Sequence, residues 1–329
     1  MTILVLGGAG YIGSHTVRAL VEADRDTVVV DNLQTGFRDA VHPAARFYEA
    51  DIRDREALDR VFVAEDIEAV IHFAASSQVG ESMVKPLDYY DNNLTGTIVL
   101  LQAMEAAGVK AIVFSSTAAT YGEPERVPIL EDDRTEPTSC YGETKLAMEK
   151  LMGWAGRAHG LRSVALRYFN AAGAHPSAEI GEAHASESHL VPLVLQVPLG
   201  KRETISVYGD DYPTPDGTCV RDYIHVVDLA DAHIRAVDHL LRGGDSDVFN
   251  LGSGNGFTVN EIIDVARKVT GHPIPVQVTP RRAGDPAQLV ASSAKIKQAL
   301  GWAPQHESVE EIVSSAWAWH QGHPRGYER

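Results

Sequence analysis

Cysteine is scarce in this chain: only two of the 329 residues are cysteines, Cys140 and Cys219. One pair could bridge in principle, but it does not make a disulfide framework and has no metal-ligand spacing. We therefore expect two reduced thiols, and the sequence indicates no metal site.

Long apolar runs are also missing. No segment reaches the roughly 20 apolar residues that a membrane-spanning helix needs. The first strand-like segment begins at Ile3, which leaves no room for a signal peptide. These absences predict a cytoplasmic location and no membrane partner.

Positive charge is in short supply, because 29 Lys and Arg residues stand against 45 Asp and Glu residues, for a net charge of −16. Such a surface repels nucleic acid and anionic lipid, so we expect neither as the main partner. A phosphate-bearing substrate would need local positive charge against this background.

The first half of the chain alternates short β-rich runs with longer helical patterns. Strands separated by helices indicate βαβ units and a Rossmann-type, doubly wound parallel sheet in an α/β fold. The candidate strands are residues 3–7, 27–31, 68–74, 111–116 and 163–170, and one of the helices is predicted at 141–158.

After Asn170 the alternation breaks into loops and scattered elements. The sequence predicts loops at 171–189 and 210–218, helices at 190–200 and 228–240, and strands at 205–209 and 247–252. Two T/S-x-x-E capping boxes, Thr258 with Glu261 and Ser308 with Glu311, predict two final helices, and Gly271 is suited to end the first. We expect a dinucleotide-binding domain at 1–170, with a returning segment at about 222–254, and a smaller discontinuous α/β substrate lobe at 171–221 and 255–329.

A glycine-rich turn follows the first strand directly and opens a helix. In such a turn Gly7 permits the tight bend, Gly10 lets the backbone approach a pyrophosphate, and Gly13 allows close packing of helix and strand. The helix N-terminus offers unpaired N–H groups to phosphates. Asp31, at the end of the second strand, would accept hydrogen bonds from a ribose diol and repel a 2′-phosphate, so NAD is favoured over NADP.

Tyr141 and Lys145 stand four residues apart at the start of a helix, which places both side chains on one face. The pKa of a free phenol is near 10, and a nearby ammonium favours the phenolate, so we expect Lys145 to lower the pKa of Tyr141. Such a tyrosine can take a proton from an alcohol while hydride leaves its carbon. Ser115, Ser116 and Thr117 follow the preceding strand; we expect Thr117 to complete the proton path and read Ser115 and Ser116 first as strand-end caps.

Together these motifs resemble the extended short-chain dehydrogenase/reductase superfamily, and within it the UDP-glucose 4-epimerases. The resemblance covers nearly the whole chain, from GGAGYIGSHT at the start to HPRGY at the end. The segments that carry it are residues 28–33, 50–54, 71–75, 79–93, 115–122, 141–145, 166–176, 212–230, 249–254 and 281–286.

The resemblance implies roles position by position. Thr117, Tyr141 and Lys145 would be catalytic. The residues implied to contact NAD are Gly7, Gly10, Tyr11, Ile12, Gly13, Asp31, Asn32, Asp51, Ile52, Phe73, Ala74, Ala75, Asn92, Ser115, Tyr141, Lys145 and Tyr168. Those implied to contact a nucleotide sugar are Thr117, Tyr141, Asn170, His189, Leu190, Tyr208, Arg221, Arg282, Asp285 and Leu289. Arg221 and Arg282 would supply the local positive charge, since guanidinium suits a diphosphate.

Three positions depart from the family's usual pattern. Ser77 stands where several members carry a lysine near the cofactor, and His189 stands where others carry an asparagine beside the diphosphate. Leu289 replaces a tyrosine that restricts the pocket in some members, so the sequence suggests that N-acetylated UDP-hexosamines are also accepted. By resemblance, the partner set is a UDP-hexose and a second copy of the chain in a homodimer.

The implied activity is reversible interconversion of UDP-galactose and UDP-glucose through a 4-keto intermediate, with NADH formed transiently. Ala118 and Ala119 stand where 4,6-dehydratases carry Asp-Glu, which argues strongly against dehydration. A UDP-glucuronate epimerase or decarboxylase is an alternative with poorer similarity. A non-catalytic NAD-binding sensor is another, against which the intact Tyr141, Lys145 and Thr117 speak.

Overall fold

The computed structural model describes residues 1–282 and 285–327. Strands occur along its whole length, in chain order β1 (Thr2–Leu6), β2 (Asp26–Asp31), β3 (Arg46–Glu49), β4 (Ile67–His72), β5 (Ala111–Ser115), β6 (Arg162–Tyr168), β7 (Asn170–Ala172), β8 (Ile205–Tyr208), β9 (Val220–Arg221), β10 (Tyr223–His225), β11 (Asp247–Leu251), β12 (Phe257–Thr258), β13 (Val276–Thr279) and β14 (Gln288–Leu289).

Helices alternate with these strands. They are α1 (Tyr11–Glu22), α2 (Arg55–Ala64), α3 (Val79–Ser82), α4 (Pro86–Tyr89), α5 (Gly96–Ala107), α6 (Cys140–His159), α7 (Leu190–Leu195), α8 (Val226–Leu241), α9 (Val259–Thr270), α10 (Ala294–Leu300) and α11 (Val309–Gly322). A π-helical stretch, Tyr90–Thr95, joins α4 to α5, and short 3-10 turns lie at Arg38–Ala40 and Ala118–Thr120.

The main sheet has seven strands in the order β11-β6-β5-β4-β1-β2-β3, and every neighbouring pair is parallel. The strand order reverses between β1 and β4. In open parallel sheets ligands bind in the crevice at such a reversal, beyond the carboxyl ends of the strands. The predicted Rossmann-type α/β fold is confirmed.

Alternating residues of the strands feed two hydrophobic cores, one on each face of the sheet. On β1, Ile3 and Val5 join the core shared with α1 and α8, while Leu4 and Leu6 join the core shared with α2, α5 and α6. Helices therefore cover both faces of the main sheet. The polar loops lie instead at the carboxyl ends of its strands.

A third core gathers the elements that follow β7. Val194 of α7, Val207 of β8, Ile262 of α9 and Val313 of α11 are buried in it. The short pairs β8 with β13 and β7 with β10 and the three-stranded set β12-β9-β14 lie in this part of the chain. Meanwhile β11 returns to the main sheet beside β6, so the chain crosses between the two regions more than once.

The boundaries of the predicted elements largely match the structure, but the short elements β9, β10, β12, β13, β14 and α10 were not predicted, and one helix end and one cap were wrong. The helix predicted at 190–200 ends at Leu195, because Pro198 disfavours helical geometry at Val197 and Gly200 adopts φ +71°. Thr258 and Glu261 form the predicted capping box, and Gly271 ends α9 with φ +69°. Ser308 precedes α11 as predicted, but its side chain makes no capping hydrogen bond, so the second capping box was wrong.

Candidate active site

The turn between β1 and α1 has two positions where only glycine fits. A Cβ on Gly7 would lie 2.6 Å from the backbone N of Ala74, and one on Gly13 would lie 2.1 Å from the carbonyl O of Gly7. Gly7 also has φ +76°, a conformation that favours glycine. The turn therefore packs directly against the chain leaving β4.

Gly10 is different, because the protein itself leaves room beside it. A Cβ there would meet only the carbonyl O of Gly7, at 3.4 Å. Gly10 is also the N-cap of α1 and provides no side-chain capping bond to the first amides. An open backbone at a helix N-terminus fits the close approach of a pyrophosphate, so this cradle fits the predicted dinucleotide.

Asp31 ends β2 beside this cradle, and its carboxylate is held by the backbone. It accepts hydrogen bonds from the N–H of Ala9 at 2.9 Å and of Leu33 at 2.8 Å. Burial raises the pKa of Asp31, and these two amides oppose that rise. The carboxylate therefore has a fixed orientation at the carboxyl edge of the sheet.

The neighbouring predicted cofactor residues join the same edge. Asn32 donates to the carboxylate of Asp51 at 3.0 Å, and Ile52 is buried against Gly96. Asp51 is also paired with Arg53 at 2.8 Å, and this hydrogen bond lowers the pKa of Asp51. The Asp51 carboxylate therefore already accepts hydrogen bonds from Arg53, a contact that the spacing of the residues did not predict.

Phe73, Ala74 and Ala75 leave β4 on the other side of the reversal. Both Phe73 and Ala74 donate backbone N–H groups to the carbonyl O of Leu6 in β1, at 2.8 and 3.1 Å. This pairing holds the segment against the glycine turn, where the sequence predicted the cofactor.

Asn93 is a positioning residue that sequence reasoning missed. It is 1% exposed, accepts from the N–H of Ser76 at 2.8 Å, and donates to the Ser76 carbonyl and to Thr144 Oγ1 at 3.0 Å each. Predicted cofactor residue Asn92 lies beside it and donates to its side-chain oxygen. Asn93 thereby ties the loop after β4 to α6, and the only signal for it was the Asn-Asn pair.

The reactive pair lies where α6 meets the ends of β5 and β6. Lys145 Nζ donates to the carbonyl O of Ser115 at 2.8 Å and lies 5.9 Å from the centre of the Tyr141 ring. The Ser115 hydroxyl shares a short hydrogen bond with the Tyr168 hydroxyl. The structure therefore brings together Ser115, Tyr141, Lys145 and Tyr168.

Thr117 lies on the same edge and shows a direct link to the phenol. Its hydroxyl accepts from the N–H of Ala119 at 3.1 Å, capping the 3-10 turn Ala118–Thr120. A hydrogen bond with the Thr117 side chain also lowers the pKa of Tyr141. Thr117 is thus the hydroxyl placed beside the predicted base.

The expected effect of Lys145 on Tyr141 is not met by the protein alone. Burial raises the pKa of Tyr141 to about 12, and the bond to Thr117 only opposes this rise. Burial lowers the pKa of Lys145 to about 7, and the Glu149 carboxylate opposes that fall. Desolvation is the largest influence on the pKa of both groups, so the proximity of Lys145 does not by itself lower the pKa of Tyr141 as the spacing predicts.

A buried ion pair between Glu149 and Arg167 lies next to Lys145 on α6, and no sequence motif predicted it. Glu149, one turn after Lys145, accepts from Arg167 Nε at 3.0 Å and from the Ser116 hydroxyl. The two side chains are 8% and 6% exposed. The Ser116 hydroxyl therefore donates to the Glu149 carboxylate, which differs from the predicted strand-end cap.

His233 connects two predicted cofactor residues. Its ring centre lies 4.6 Å from that of Phe73 and 6.2 Å from that of Tyr168. The side chain is fully buried on α8, and Nδ1 hydrogen-bonds the carbonyl O of Leu229 at 2.8 Å. His233 therefore occupies a core position that packs against both of these rings.

The predicted nucleotide-sugar residues form a second group around β9 and β14. Arg221 of β9 pairs in register with Leu289 of β14, donates to the Pro286 carbonyl at 2.9 Å, and lies 3.6 Å from the Asp285 carboxylate. Asn170 donates to the carbonyl O of Asp222 at 2.8 Å. This contact links β7, which continues from the catalytic edge, to the arginine strand.

Arg282 and Tyr208 stack near this group, with the guanidinium carbon 3.8 Å from the ring centre. Among residues 1–282 and 285–327, no hydrogen bond or ion pair joins Tyr208 or Arg282 to Tyr141. The structure thus brings the predicted residues together as two groups, one at the sheet edge and one in the later elements.

His189 and Leu190 stand at the start of α7. Nδ1 of His189 is engaged by the Glu182 carboxylate. Burial lowers the pKa of His189, but Glu182 and Glu187 more than offset this and raise it to about 9. His189 is therefore bonded to the Glu182 carboxylate, a partner that the sequence did not predict.

Similarity to known proteins shows which family the chain belongs to. The model of the NAD dependent epimerase/dehydratase family matches residues 3–252. The chain belongs to this NAD dependent epimerase/dehydratase family. The family expected from the sequence is confirmed, and so is its nicotinamide cofactor.

Similarity within the NAD dependent epimerase/dehydratase family extends over the whole chain. A curated protein of Lacticaseibacillus casei named UDP-glucose 4-epimerase is 59% identical over 99% of both chains. A crystal structure of a UDP-glucose 4-epimerase is 57% identical, with a TM-score of 0.99 and 100% of both chains covered.

Two further solved relatives carry informative ligands or names. The UDP-glucose 4-epimerase of Bifidobacterium longum, in complex with NAD+ and UDP, is 41% identical with a TM-score of 0.93, covering 99% of this chain and 100% of that one. The UDP-Glc/GlcNAc 4-epimerase of Campylobacter jejuni is 40% identical with a TM-score of 0.86, covering 98% and 99%. Within the part of the chain that the structure describes, no helix is long and apolar enough to cross a membrane.

Proposed function

We propose that this protein interconverts UDP-galactose and UDP-glucose by inverting C4 of the hexose. The observation that carries the proposal is the meeting of Tyr141, Thr117 and Lys145 at the edge of the sheet that also holds the glycine cradle. Full-length similarity to proteins named UDP-glucose 4-epimerase supports the same activity.

Bound NAD would supply the hydride acceptor and donor for inversion at C4 of the sugar. The residues that would hold NAD are those of the cradle around Gly10, the Asp31 carboxylate, and the crevice lined by Phe73 and Tyr168. Their fit rests on the open backbone at Gly10 and the fixed orientation of Asp31.

Tyr141 is the proposed base and acid, which takes the proton of the 4-hydroxyl and later returns it. Thr117 hydrogen-bonds the phenol and so orients the Tyr141 hydroxyl for proton transfer. Because the protein alone leaves the pKa of Tyr141 at about 12, proton transfer needs added positive charge in the filled site. Lys145 already belongs to that protein environment, so the added charge would come from the nicotinium ring of bound NAD⁺, which favours the phenolate.

The substrate is proposed to be bound mainly through its diphosphate. Arg221 is already fixed by Pro286 and Asp285, and Arg282 is stacked on Tyr208. Preordered guanidinium groups suit diphosphate oxygens. A grip on the diphosphate leaves the hexose free to turn, which inversion at C4 requires.

N-acetylated UDP-hexosamines are proposed as further substrates. Leu289 is half-buried on β14 and packs against the small core of Ala118, Tyr121 and Ile129. A leucine is shorter than the tyrosine implied at this position in other members, so it leaves room for an N-acetyl group. The name of the Campylobacter jejuni relative gives independent support.

A homodimer through α5 and α6 is proposed as the assembly. These helices border an apolar cleft lined in part by Ile98, Leu101, Leu151 and Trp154. Trp154 is 65% exposed and Ile98 39% exposed. Large apolar side chains grouped on one surface favour burial against a partner, and a second copy would pair the same helices.

Two further features stay proposals. The first is the division into a dinucleotide-binding domain, residues 1–170 with about 222–254, and a substrate lobe, residues 171–221 and 255–329; the separate third core supports it. The second is the cytoplasmic location, for which Cys140 and Cys219 as free thiols are the support.

The decisive experiment is incubation of the purified protein with UDP-galactose and no added reductant, followed by identification of the product. UDP-glucose as the product is expected. A 4-keto-6-deoxy sugar would show dehydration instead, and absence of turnover with NAD bound would support a sensor. Turnover of UDP-glucuronate in place of UDP-galactose would favour the glucuronate epimerase or decarboxylase.

A further inference from the structure

The loop before α7 gathers four side chains with metal-binding atoms within eight residues of sequence. Glu182, His184, Glu187 and His189 each direct one nitrogen or oxygen into a common space, and these four atoms all lie within 4.8 Å of one another. The expectation of no metal site rested on the two cysteines alone and did not consider these histidines and glutamates.

Several distances within the cluster are close to those of a tetrahedral site. His184 Nδ1 lies 3.1 Å from a Glu187 oxygen and 3.5 Å from a Glu182 oxygen, and His189 Nδ1 lies 3.8 Å from the other Glu187 oxygen. Zinc bonds to nitrogen and oxygen of about 2.0–2.1 Å place tetrahedral ligands roughly 3.3–3.4 Å apart. His189 Nδ1 and a Glu182 oxygen are closer than this, in direct hydrogen-bond contact, so these two side chains would separate to admit an ion.

Both carboxylates are buried and anchored by the protein. The side chains of Glu182 and Glu187 are 5% and 8% exposed. Glu187 accepts from the backbone N–H groups of Ser188 and His189 at 2.8 and 2.9 Å, and the Glu182 backbone carbonyl accepts from Trp319 at 3.1 Å. Two buried negative charges beside two imidazoles call for positive charge, which either protons or one divalent cation can provide.

We propose that Glu182, His184, Glu187 and His189 form a binding site for one Zn²⁺ ion. Two carboxylates and two neutral imidazoles would make the occupied site electrically neutral. Mixed nitrogen and oxygen ligands in fourfold coordination suit Zn²⁺, whereas Ca²⁺ and Mg²⁺ take mostly oxygen ligands in larger numbers. The ion would fix the 182–189 loop ahead of α7 and would engage His189, one of the predicted nucleotide-sugar residues.

The test is titration of the full-length, chelator-treated protein with Co²⁺, which reports fourfold coordination by its visible absorption. We expect one equivalent of Co²⁺ to bind with that absorption and one equivalent of Zn²⁺ to displace it. Glu187→Gln and His184→Gln should each weaken binding by about 100-fold or more, since each removes a ligand. His175→Gln, in the same loop but outside the cluster, is the matched control and should bind Co²⁺ as the parent does.

Circular dichroism and thermal unfolding without metal would establish that each variant folds. Weak or sixfold-coordinated Co²⁺ in the parent protein would overturn the proposal. So would equal Co²⁺ affinity in the parent and the folded Glu187→Gln variant.

Discussion

Lys145 and Glu149 lie one turn apart on α6, and the carboxylate of Glu149 raises the pKa of an ammonium that burial lowers to about 7. Glu149 is itself buried against Arg167 and the Ser116 hydroxyl. The balance between desolvation and this one carboxylate therefore sets how much of Lys145 is protonated near neutral pH.

Replacing that carboxylate should move the pH profile. Glu149→Gln removes the charge that favours the ammonium and leaves Arg167 unpaired, so both effects lower the pKa of Lys145. Activity that needs protonated Lys145 is lost as pH rises through this pKa, so the alkaline fall of kcat should shift to lower pH. The measurement is kcat for UDP-galactose from pH 6 to 9.

Ser116→Ala is the control, because it removes a hydrogen bond to the same carboxylate but keeps the charge. Its alkaline limb should stay near that of the parent. An unchanged profile in folded Glu149→Gln would show that Lys145 does not respond to Glu149.

Tyr141→Phe should lower kcat for UDP-galactose by about 10²–10⁴-fold, the usual contribution of a positioned acid or base. The ring remains to fill its half-buried place, so the variant should fold and retain bound NAD. Tyr90→Phe removes a hydroxyl from an exposed tyrosine and should leave kcat unchanged. Undiminished turnover by Tyr141→Phe would exclude the phenol as the proton carrier.

Leu289→Tyr should lower activity on N-acetylated UDP-hexosamines more than activity on UDP-galactose. The larger ring would fill the space proposed for the N-acetyl group, so kcat/KM for UDP-N-acetylglucosamine should fall by at least about 10-fold, while UDP-galactose is affected less. Leu289→Met keeps the volume nearly constant and serves as the control. No turnover of the acetylated sugar by the parent would refute the proposed substrate range.

The sequence predicted the parts of this site that depend on local geometry. The glycine turn, Asp31 at a strand end, and Tyr141 with Lys145 on one helical face each follow from a short spacing. Contacts between distant segments could not be predicted, and Asn93 with Thr144 is an example. The pKa of Tyr141 was missed for a related reason, because burial is a property of the whole fold and spacing records only proximity.

Trp154→Glu should weaken the proposed dimer, since it places a charge in the apolar cleft between α5 and α6. Light scattering after size-exclusion chromatography should show the parent as a dimer and the variant shifted towards monomer. Val63→Glu is the matched control, because Val63 is 89% exposed on α2, away from the cleft. A monomeric parent, or a variant with the mass of the parent dimer, would contradict this assembly.

His233 predicts a specific loss of stability in acid. Burial lowers the pKa of His233 to about 4, whereas an unfolded histidine titrates near 6.5. Below pH 6.5 the unfolded chain binds a proton that the folded chain does not, so stability falls as pH falls from about 6.5 to about 4. Between pH 7.5 and 5.5 this single group should cost about 1.4 kcal/mol.

His233→Phe removes the titrating group and keeps an aromatic ring beside Phe73 and Tyr168. Urea unfolding of the parent and the variant at both pH values should therefore show a decrease in the free energy of unfolding that is smaller in the variant by about 1.4 kcal/mol. His272→Phe makes the same exchange at an exposed position and controls for the ring itself. Because the comparison is a difference of differences, any packing penalty of phenylalanine cancels, and equal decreases in parent and variant would mean that His233 is protonated in the folded protein.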